Sequence, residues 1–187
     1  MKYLIACLGN IGAEYDNTRH NIGFMIADQM AKESEQQFTT NRLAQTTLIK
    51  HKGRSLIVIK PTTYMNLSGK AIQYWLKNEN IPIENLLVVV DDIALPTATL
   101  RMKKKGSDAG HNGLIHIIET LETNEYARLR FGIGNNFSRG RQVDYVLGKF
   151  TPSEMVLVEP KIDVAIEMIK SFATIGIDRT MNLYNNK

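Results

Sequence analysis

The sequence predicts an α/β fold: a single domain spanning residues 1–187, built on a mixed, mostly parallel twisted sheet flanked by helices. Three observations predict it. Leu86-Leu87-Val88-Val89-Val90 is continuously apolar, as a central strand covered on both faces must be. Apolar runs of strand length alternate along the chain with stretches whose apolar residues recur at helical spacing. No internal repeat, low-complexity tract or linker divides the chain, and 187 residues suffice to bury one substantial core.

In chain order, residues 2–8 read as a first buried strand. Residues 19–33 carry Ile22, Met25, Ile26 and Met30 at near-helical spacing, which puts His20 in the first turn of a helix. Residues 44–50 and 54–60 are strand-like and flank His51-Lys52-Gly53, a hairpin signal; Pro61 ends the second run. A helix follows with Leu67, Ala71, Trp75 and Leu76 on one face, where Trp75 is simplest as a core residue. The apolar strand 86–90 stops at Asp91-Asp92, and a further strand is expected over 97–104. Gly106 and Gly110 mark a loop, and a helix runs from His111-Asn112 to about Glu122. Residues 127–133 and 143–147 read as strands, and Thr151-Pro152-Ser153-Glu154 opens a last long helix with a cap and a first-turn proline.

Composition narrows the function classes. Hydrophobic residues at 43% and charged residues at 22% are those of a soluble globular protein, and no apolar stretch is long enough to span a bilayer. The N-terminus is basic then apolar, but its short run ends in Gly9-Asn10 without a small-residue cleavage site, so a strand is expected rather than a signal peptide. The lone Cys7 permits no internal disulfide, suits a reducing cytoplasm and lies inside an apolar run, where an inert buried thiol is expected. The net charge of +4 is modest, but Arg101, Lys103, Lys104 and Lys105 fall within five residues, and Arg128, Arg130, Arg139 and Arg141 follow. This is either a solvated basic face or a phosphate-binding strip; without interleaved aromatics, any nucleic acid would be held by its phosphates.

Five polar clusters sit at the ends of apolar runs: Gly9-Asn10, Thr18-Arg19-His20-Asn21, Tyr64-Met65-Asn66, Asp91-Asp92 and Gly110-His111-Asn112-Gly113. In α/β sheets, loops beyond the C-terminal ends of strands collect catalytic groups. His20 can take a proton from water near neutral pH, and Asp91 is the candidate to fix its tautomer. Asn10, Asn66 and Asn112 can hold a water, recognise a peptide amide or stabilise an oxyanion without titrating. Together they equip a site to split an acyl bond with water. Each also has a plainer reading as a cap, turn or packing residue, and His111 is a rival base. The nucleotide fingerprint G-x-G-x-x-G, a P-loop, a recognised zinc spacing among His20, His51, His111 and His116, and a G-x-S-x-G serine are all missing from the sequence.

The clusters resemble the bacterial-type peptidyl-tRNA hydrolase family. The matching segments include Leu8-Gly9-Asn10, Tyr15, Thr18-Arg19-His20-Asn21-Ile22-Gly23-Phe24 and Lys60-Pro61-Thr62-Thr63-Tyr64-Met65-Asn66-Leu67-Ser68-Gly69. They continue through Asp91-Asp92, Leu95-Pro96, Gly110-His111-Asn112-Gly113-Leu114, Arg128-Leu129-Arg130-Phe131-Gly132-Ile133-Gly134 and Val146-Leu147-Gly148-Lys149-Phe150, in the family's order. The resemblance implies a cytoplasmic, monomeric enzyme without cofactor, metal, membrane attachment or obligate protein partner. Such an enzyme hydrolyses the ester between a peptide and the 3′-terminal ribose of tRNA, recycling peptidyl-tRNA dropped during translation. Carried over, His20 is the general base, Asp91 orients it, and Asn10 and Asn112 position substrate or stabilise the oxyanion. Asn66 and the backbone near Met65 bind the peptide main chain, with Tyr64 beside them and Tyr15 near the tRNA end. Arg101, Lys103 and Arg130 grip tRNA phosphates, and the segment after Gly148 with the following helix resembles a mobile lid. The fold also resembles plant organelle RNA-splicing factors, so a non-catalytic RNA-binding relative is one alternative. A small-molecule esterase, which needs no basic strip, is another.

The chain departs from the family pattern at Cys7 and Ile11, where a glycine and a proline are usual, and at Ala98, where a glycine is usual. Losing the proline loosens the loop beside Asn10 unless other packing holds it. Asp108 adds an acid near the expected phosphate path.

Overall fold

The computed structural model describes residues 1–185. Its elements in order are β1 (Lys2–Cys7), α1 (Ile22–Glu33), β2 (Thr39–Asn41), β3 (Ala44–His51), β4 (Arg54–Pro61), α2 (Ser68–Asn78) and β5 (Leu86–Asp92). There follow β6 (Leu100–Lys103), α3 (Asn112–Leu121), β7 (Ala127–Gly132), α4 (Gln142–Val146), α5 (Pro152–Ile175) and α6 (Ile177–Tyr184). The seven strands form one sheet in the order β2-β3-β4-β1-β5-β7-β6. The central four, β4, β1, β5 and β7, run parallel, and β3, β2 and β6 complete the mixed sheet through antiparallel pairings.

Strand periodicity builds the core on both sheet faces. Ile5 and Cys7 point with Val58, Val89 and Leu129 toward Ile26 of α1 and Ile166 of α5. Leu4, Ala6, Val88 and Val90 point the other way, toward Ile72 and Trp75 of α2 and Ile117 of α3. Every residue of β5 is buried, as its unbroken apolar run requires. The Trp75 indole N–H donates to the Arg42 carbonyl at 2.9 Å, the bond a mostly buried indole needs. At the β6 edge, Asn185 bonds the Met102 backbone at N–H and C=O, both at 2.8 Å, closing part of an otherwise open ladder.

The structure corrects three readings of local structure. Residues 143–147 are not a strand: Val143, Val146 and Leu147 recur at helical spacing in a one-turn helix, α4, whose β-branched residues imitate a strand. The strand expected over 97–104 is confined to Leu100–Lys103, because residues 96–99 turn back toward β7. Ahead of α1, residues Arg19–Asn21 form a 3₁₀ turn that carries His20. The polar strand Thr39–Asn41 and the helix after Gly176 carry weak apolar signals and were not expected.

Two departures from the family pattern are accommodated. Ala98 adopts the left-handed conformation a glycine would take, with φ 65°, and its N–H donates to the Gly132 carbonyl at 2.8 Å. The loop after β1 is held by Asn21. The Asn10 N–H donates to Asn21 Oδ1, and Asn21 Nδ2 donates to the Asn10 carbonyl, each at 2.8 Å. A reciprocal side-chain clamp thus does the stiffening expected of the absent proline.

Candidate active site

Chain direction places the site. After β1 the chain leaves for α1 on one sheet face, and the segment after β5 and β6 enters α3 on the other. A crevice opens where neighbouring strands send their connections to opposite sides. The turn ahead of α1 brings His20 to this crevice, the N-terminus of α3 brings His111, and Asp91 stands between them near the end of β5. Gly23 permits the approach: a Cβ there would lie 2.5 Å from the Leu8 carbonyl oxygen, so only glycine lets α1 start against the end of β1.

Asp91 is 4% exposed and uses both carboxylate oxygens. Oδ2 is 2.8 Å from His20 Nδ1, and Oδ1 is 2.8 Å from His111 Nε2. Burial alone would raise the Asp91 pKa, but the two histidines outweigh it and hold the carboxyl well below its usual range. An ionised Asp91 can only accept, so both facing ring nitrogens carry protons. On the far side of the His111 ring, Nδ1 accepts from the backbone N–H groups of Gly113 at 3.0 Å and Leu114 at 3.4 Å, capping α3. Both ring nitrogens of His111 are therefore engaged.

The two histidines therefore differ in what their second ring nitrogen can do. Among the described residues only the Nδ1 of His20 has a partner, so its Nε2 retains a lone pair available to a water or substrate. Burial pulls the His20 pKa down, but the charge and hydrogen bond of Asp91 more than offset this and bring it above its ordinary value of 6.5. His20, Asp91 and His111 also form a cluster with metal-ligand chemistry, their donor atoms within 4.8 Å of one another. Their 2.8 Å contacts are hydrogen-bond separations, however, and nitrogen and oxygen ligands on one tetrahedral zinc would stand about 3.3 Å apart.

The asparagines divide the labour. Asn10 Oδ1 accepts the Met65 backbone N–H at 2.7 Å. This fixes the amide so that its Nδ2 donor makes no bond within the described residues. The same contact engages the Met65 N–H. Asn66, next to it, is exposed and makes no side-chain hydrogen bond among the described residues. Tyr15 and Tyr64 meet edge to face with ring centroids 6.5 Å apart. Tyr64 is held at φ 62°, outside the usual range for a tyrosine, and is 51% exposed. Asn112, the first residue of α3, is exposed and lines the same cleft as His20.

That cleft runs from His20 and Asp91 past Asn112 to Lys103, Arg128 and Arg130. Arg101 lies opposite Arg130 across β6 and β7, and Lys103 lies opposite Arg128. Like charges directly opposite destabilise a sheet, so four cations on one face favour an anion arriving there. Arg130 is tied to Asp92 through its Nε. Arg101 and Lys103 are exposed and have no carboxylate partner among the described residues. Arg128 differs: only 1% exposed, it donates to the carbonyls of Ser107 and Asn124 and braces the loop ahead of His111. Asp108 lines the cleft too, but its carboxylate accepts the Gly110 N–H at 2.8 Å and shapes that loop.

The cleft is roofed by α4. Gln142, Val143 and Val146 of α4, which precede Gly148, overhang it. The helix after Gly148 buries Val158, Ile162, Ala165 and Ile169 in the core. Cys7 is fully buried, and burial pushes its thiol far up, which makes it inert. The sequence reading assigned no role to Asn21 or to the capping function of His111. Asn21 acts through a contact with Asn10 that only the fold creates, whereas the His111 cap is local, made to Gly113 and Leu114.

A family model described as peptidyl-tRNA hydrolase matches residues 4–187. The chain is 59% identical over 187 residues to a peptidyl-tRNA hydrolase of Phocaeicola vulgatus and 57% identical over 187 residues to one of Bacteroides fragilis, covering 100% of both chains in each case. A crystal structure of peptidyl-tRNA hydrolase from Acinetobacter baumannii superposes with a TM-score of 0.92 at 32% identity, covering 98% of this chain and 94% of that one. With the match running through nearly every element described above, the chain belongs to the peptidyl-tRNA hydrolase family.

Proposed function

We propose that this protein hydrolyses the ester joining a peptide to the 3′-terminal ribose of tRNA, releasing both, with His20 as the base. The observation that carries the mechanism is that Asp91 and the backbone of α3 occupy both His111 nitrogens, whereas His20 engages only its Nδ1 among the described residues. His20 Nε2 takes a proton from water as the water oxygen attacks the ester carbonyl carbon. Asp91 accepts the Nδ1 proton throughout and stabilises the imidazolium. Asn10 Nδ2, held by the Met65 contact, is the donor for the developing oxyanion, with Asn112 and the positive end of α3 on the other side. Collapse of the tetrahedral intermediate expels the ribose 3′ oxygen, which recovers the proton from His20.

Asn66 with Tyr64 and Tyr15 forms the peptide-binding rim, and Arg101, Lys103 and Arg130 receive tRNA phosphates. A peptidyl ester offers a neutral amide to these asparagines, whereas an aminoacyl ester offers an ammonium group they desolvate poorly. Elongation-ready aminoacyl-tRNA is therefore spared. The protein acts as a monomer in the cytoplasm, as one domain without cofactor, metal or obligate protein partner. No helix of the described residues is long and apolar enough to cross a membrane.

The test is release of free tRNA from N-acetyl-aminoacyl-tRNA by the wild type and by His20→Ala. The expected loss in the variant is about 10²–10⁴-fold, the scale of a positioned general base. Turnover of aminoacyl-tRNA as fast as its acetylated form would remove the selectivity argument. Tight tRNA binding by the wild type without release would instead favour a non-catalytic RNA-binding protein.

A further inference from the structure

Beside the presumed base lies a buried cation that the mechanism leaves without a task. Arg19, 8% exposed, directs its guanidinium away from the cleft, into a separate depression bordered by Thr97, Tyr145 and Glu154. Its Nη2 is 2.8 Å from Glu154 Oε1, and its Nη1 donates to the Tyr145 carbonyl at 2.9 Å. Its Cζ lies 4.1 Å over the centre of the Tyr145 ring. The Arg19 backbone N–H donates to the Gly148 carbonyl at 2.9 Å, and Thr18 pairs with Lys149 in an isolated bridge. Glu154 in turn closes the capping box of α5, accepting the Thr151 N–H at 2.8 Å.

These contacts converge on the roof of the cleft. The α4 helix has five residues, too few to be stable alone, and its Val143 is 66% exposed, so apolar packing holds it weakly. Tyr145 is its anchor, through the Arg19 contacts and an O–H that donates to the Ile133 carbonyl at 2.6 Å. Within one 3₁₀ turn, Arg19 therefore holds the roof, His20 meets Asp91, and Asn21 clamps Asn10. A shift of the Arg19 end would move the base and the roof together.

We propose that Arg19, through Glu154 and Tyr145, is a positioning residue for the hydrolytic reaction, locking the roof helix to the turn that carries His20. The proposal rests on the reading of His20 as the base. Arg19 touches no reacting atom and no RNA phosphate; its positive charge serves the Glu154 pair. It therefore governs turnover and leaves tRNA affinity alone, in contrast to Lys103 and Arg130.

The experiment compares Arg19→Met, Arg19→Lys and Glu154→Gln with the wild type and His20→Ala on N-acetyl-aminoacyl-tRNA and on a small N-acyl-aminoacyl ester of adenosine. Each is assayed about 15 °C below its own Tm so that only folded protein is measured. Glu154→Gln keeps an acceptor for the Thr151 N–H and decides the matter should Arg19→Met fail to fold. The expected result is a fall in kcat of about 10- to 100-fold on both substrates, the scale of a small misplacement of a catalytic group. KM for the tRNA substrate should stay within about twofold. Arg19→Lys, which keeps the charge but not the fork, should fall between Arg19→Met and wild type. Wild-type kcat in every folded variant would reduce the pair to a stability element. A raised KM with unchanged kcat would make Arg19 an RNA contact. Either result overturns the proposal while an inactive His20→Ala leaves the reading of His20 standing; equal rates for wild type and His20→Ala would overturn His20 as the base, the reading on which the proposal rests.

Discussion

Replacing Asp91 with asparagine sets two histidines competing for one carbonyl oxygen. In the wild type, each carboxylate oxygen accepts one ring N–H, from His20 Nδ1 and His111 Nε2, both at 2.8 Å. An amide offers a single acceptor and, on the other side, an NH₂ donor. The His111 tautomer is pinned by the N–H groups of Gly113 and Leu114 on its Nδ1, so His111 claims the amide oxygen. The NH₂ group then faces His20 Nδ1, which must accept, and the His20 proton moves to Nε2. The lone pair required by the attacking water is lost, although nearly every heavy atom keeps its place. Loss of a positioned base amounts to about 10²–10⁴-fold, or about 3–5 kcal/mol of barrier, and the wrong tautomer alone reaches the upper end in serine-hydrolase triads. Asp91→Asn is therefore expected to lower kcat/KM on N-acetyl-aminoacyl-tRNA by that range with little change in KM. A second substitution sharpens the test. Asparagine at position 111 caps α3 well but removes the competing ring, freeing the amide oxygen for His20. The pair Asp91→Asn with His111→Asn should recover about tenfold over Asp91→Asn alone. A single variant within about threefold of wild type, or a double variant no better than the single, would refute the tautomer reasoning.

The pH profile tests the same contact. His20 must be neutral to act, and the Asp91 charge favours its protonated form against the opposing effect of burial. The acid limb of kcat/KM should therefore lie above the ordinary value of 6.5, activity falling as pH drops through it, and the residual activity of Asp91→Asn should have its limb at lower pH. For the basic face, Lys103→Ala and Arg130→Ala should raise KM for the tRNA substrate more than they lower kcat and flatten its salt dependence, leaving a small N-acyl ester nearly unaffected; equal effects on both substrates would remove the phosphate role. Gly23→Ala places a methyl group 2.5 Å from the Leu8 carbonyl oxygen and should destabilise the fold by about 1–3 kcal/mol in denaturant titration. Because that contact seats the His20 turn, kcat of the folded variant should fall as well.

Much of the architecture was legible in the chain because burial writes itself into periodicity. The apolar run 86–90 could only be a strand covered on both faces, and β1, the β3–β4 hairpin and the cap at Thr151 carried local signals that tertiary packing did not overrule. The misreading at 143–147 shows the limit: one turn of helix rich in β-branched residues has too few periods to be told from a strand. Residue identity also gave His20, Asp91 and the asparagines as candidates, because few side chains can move a proton or bind an amide at neutral pH.

Which histidine keeps an unengaged ring nitrogen could not be read from residue identity. His20 and His111 are equivalent as letters, each preceding an asparagine in a polar loop. Only the fold sets one ring at a helix N-terminus, where backbone N–H groups occupy its second nitrogen, and leaves the other with a free lone pair. The loop beside Asn10 follows the same rule. The missing proline was visible as a departure, but its replacement by the Asn21 side chain was not, because the two loops meet only when α1 packs against the end of β1. Sequence determined which chemistry was possible, through the side chains it supplies and their burial pattern. Tertiary structure decided which atoms are left free to perform it, because a hydrogen-bonding group becomes available or engaged only by what the fold brings within 3 Å of it.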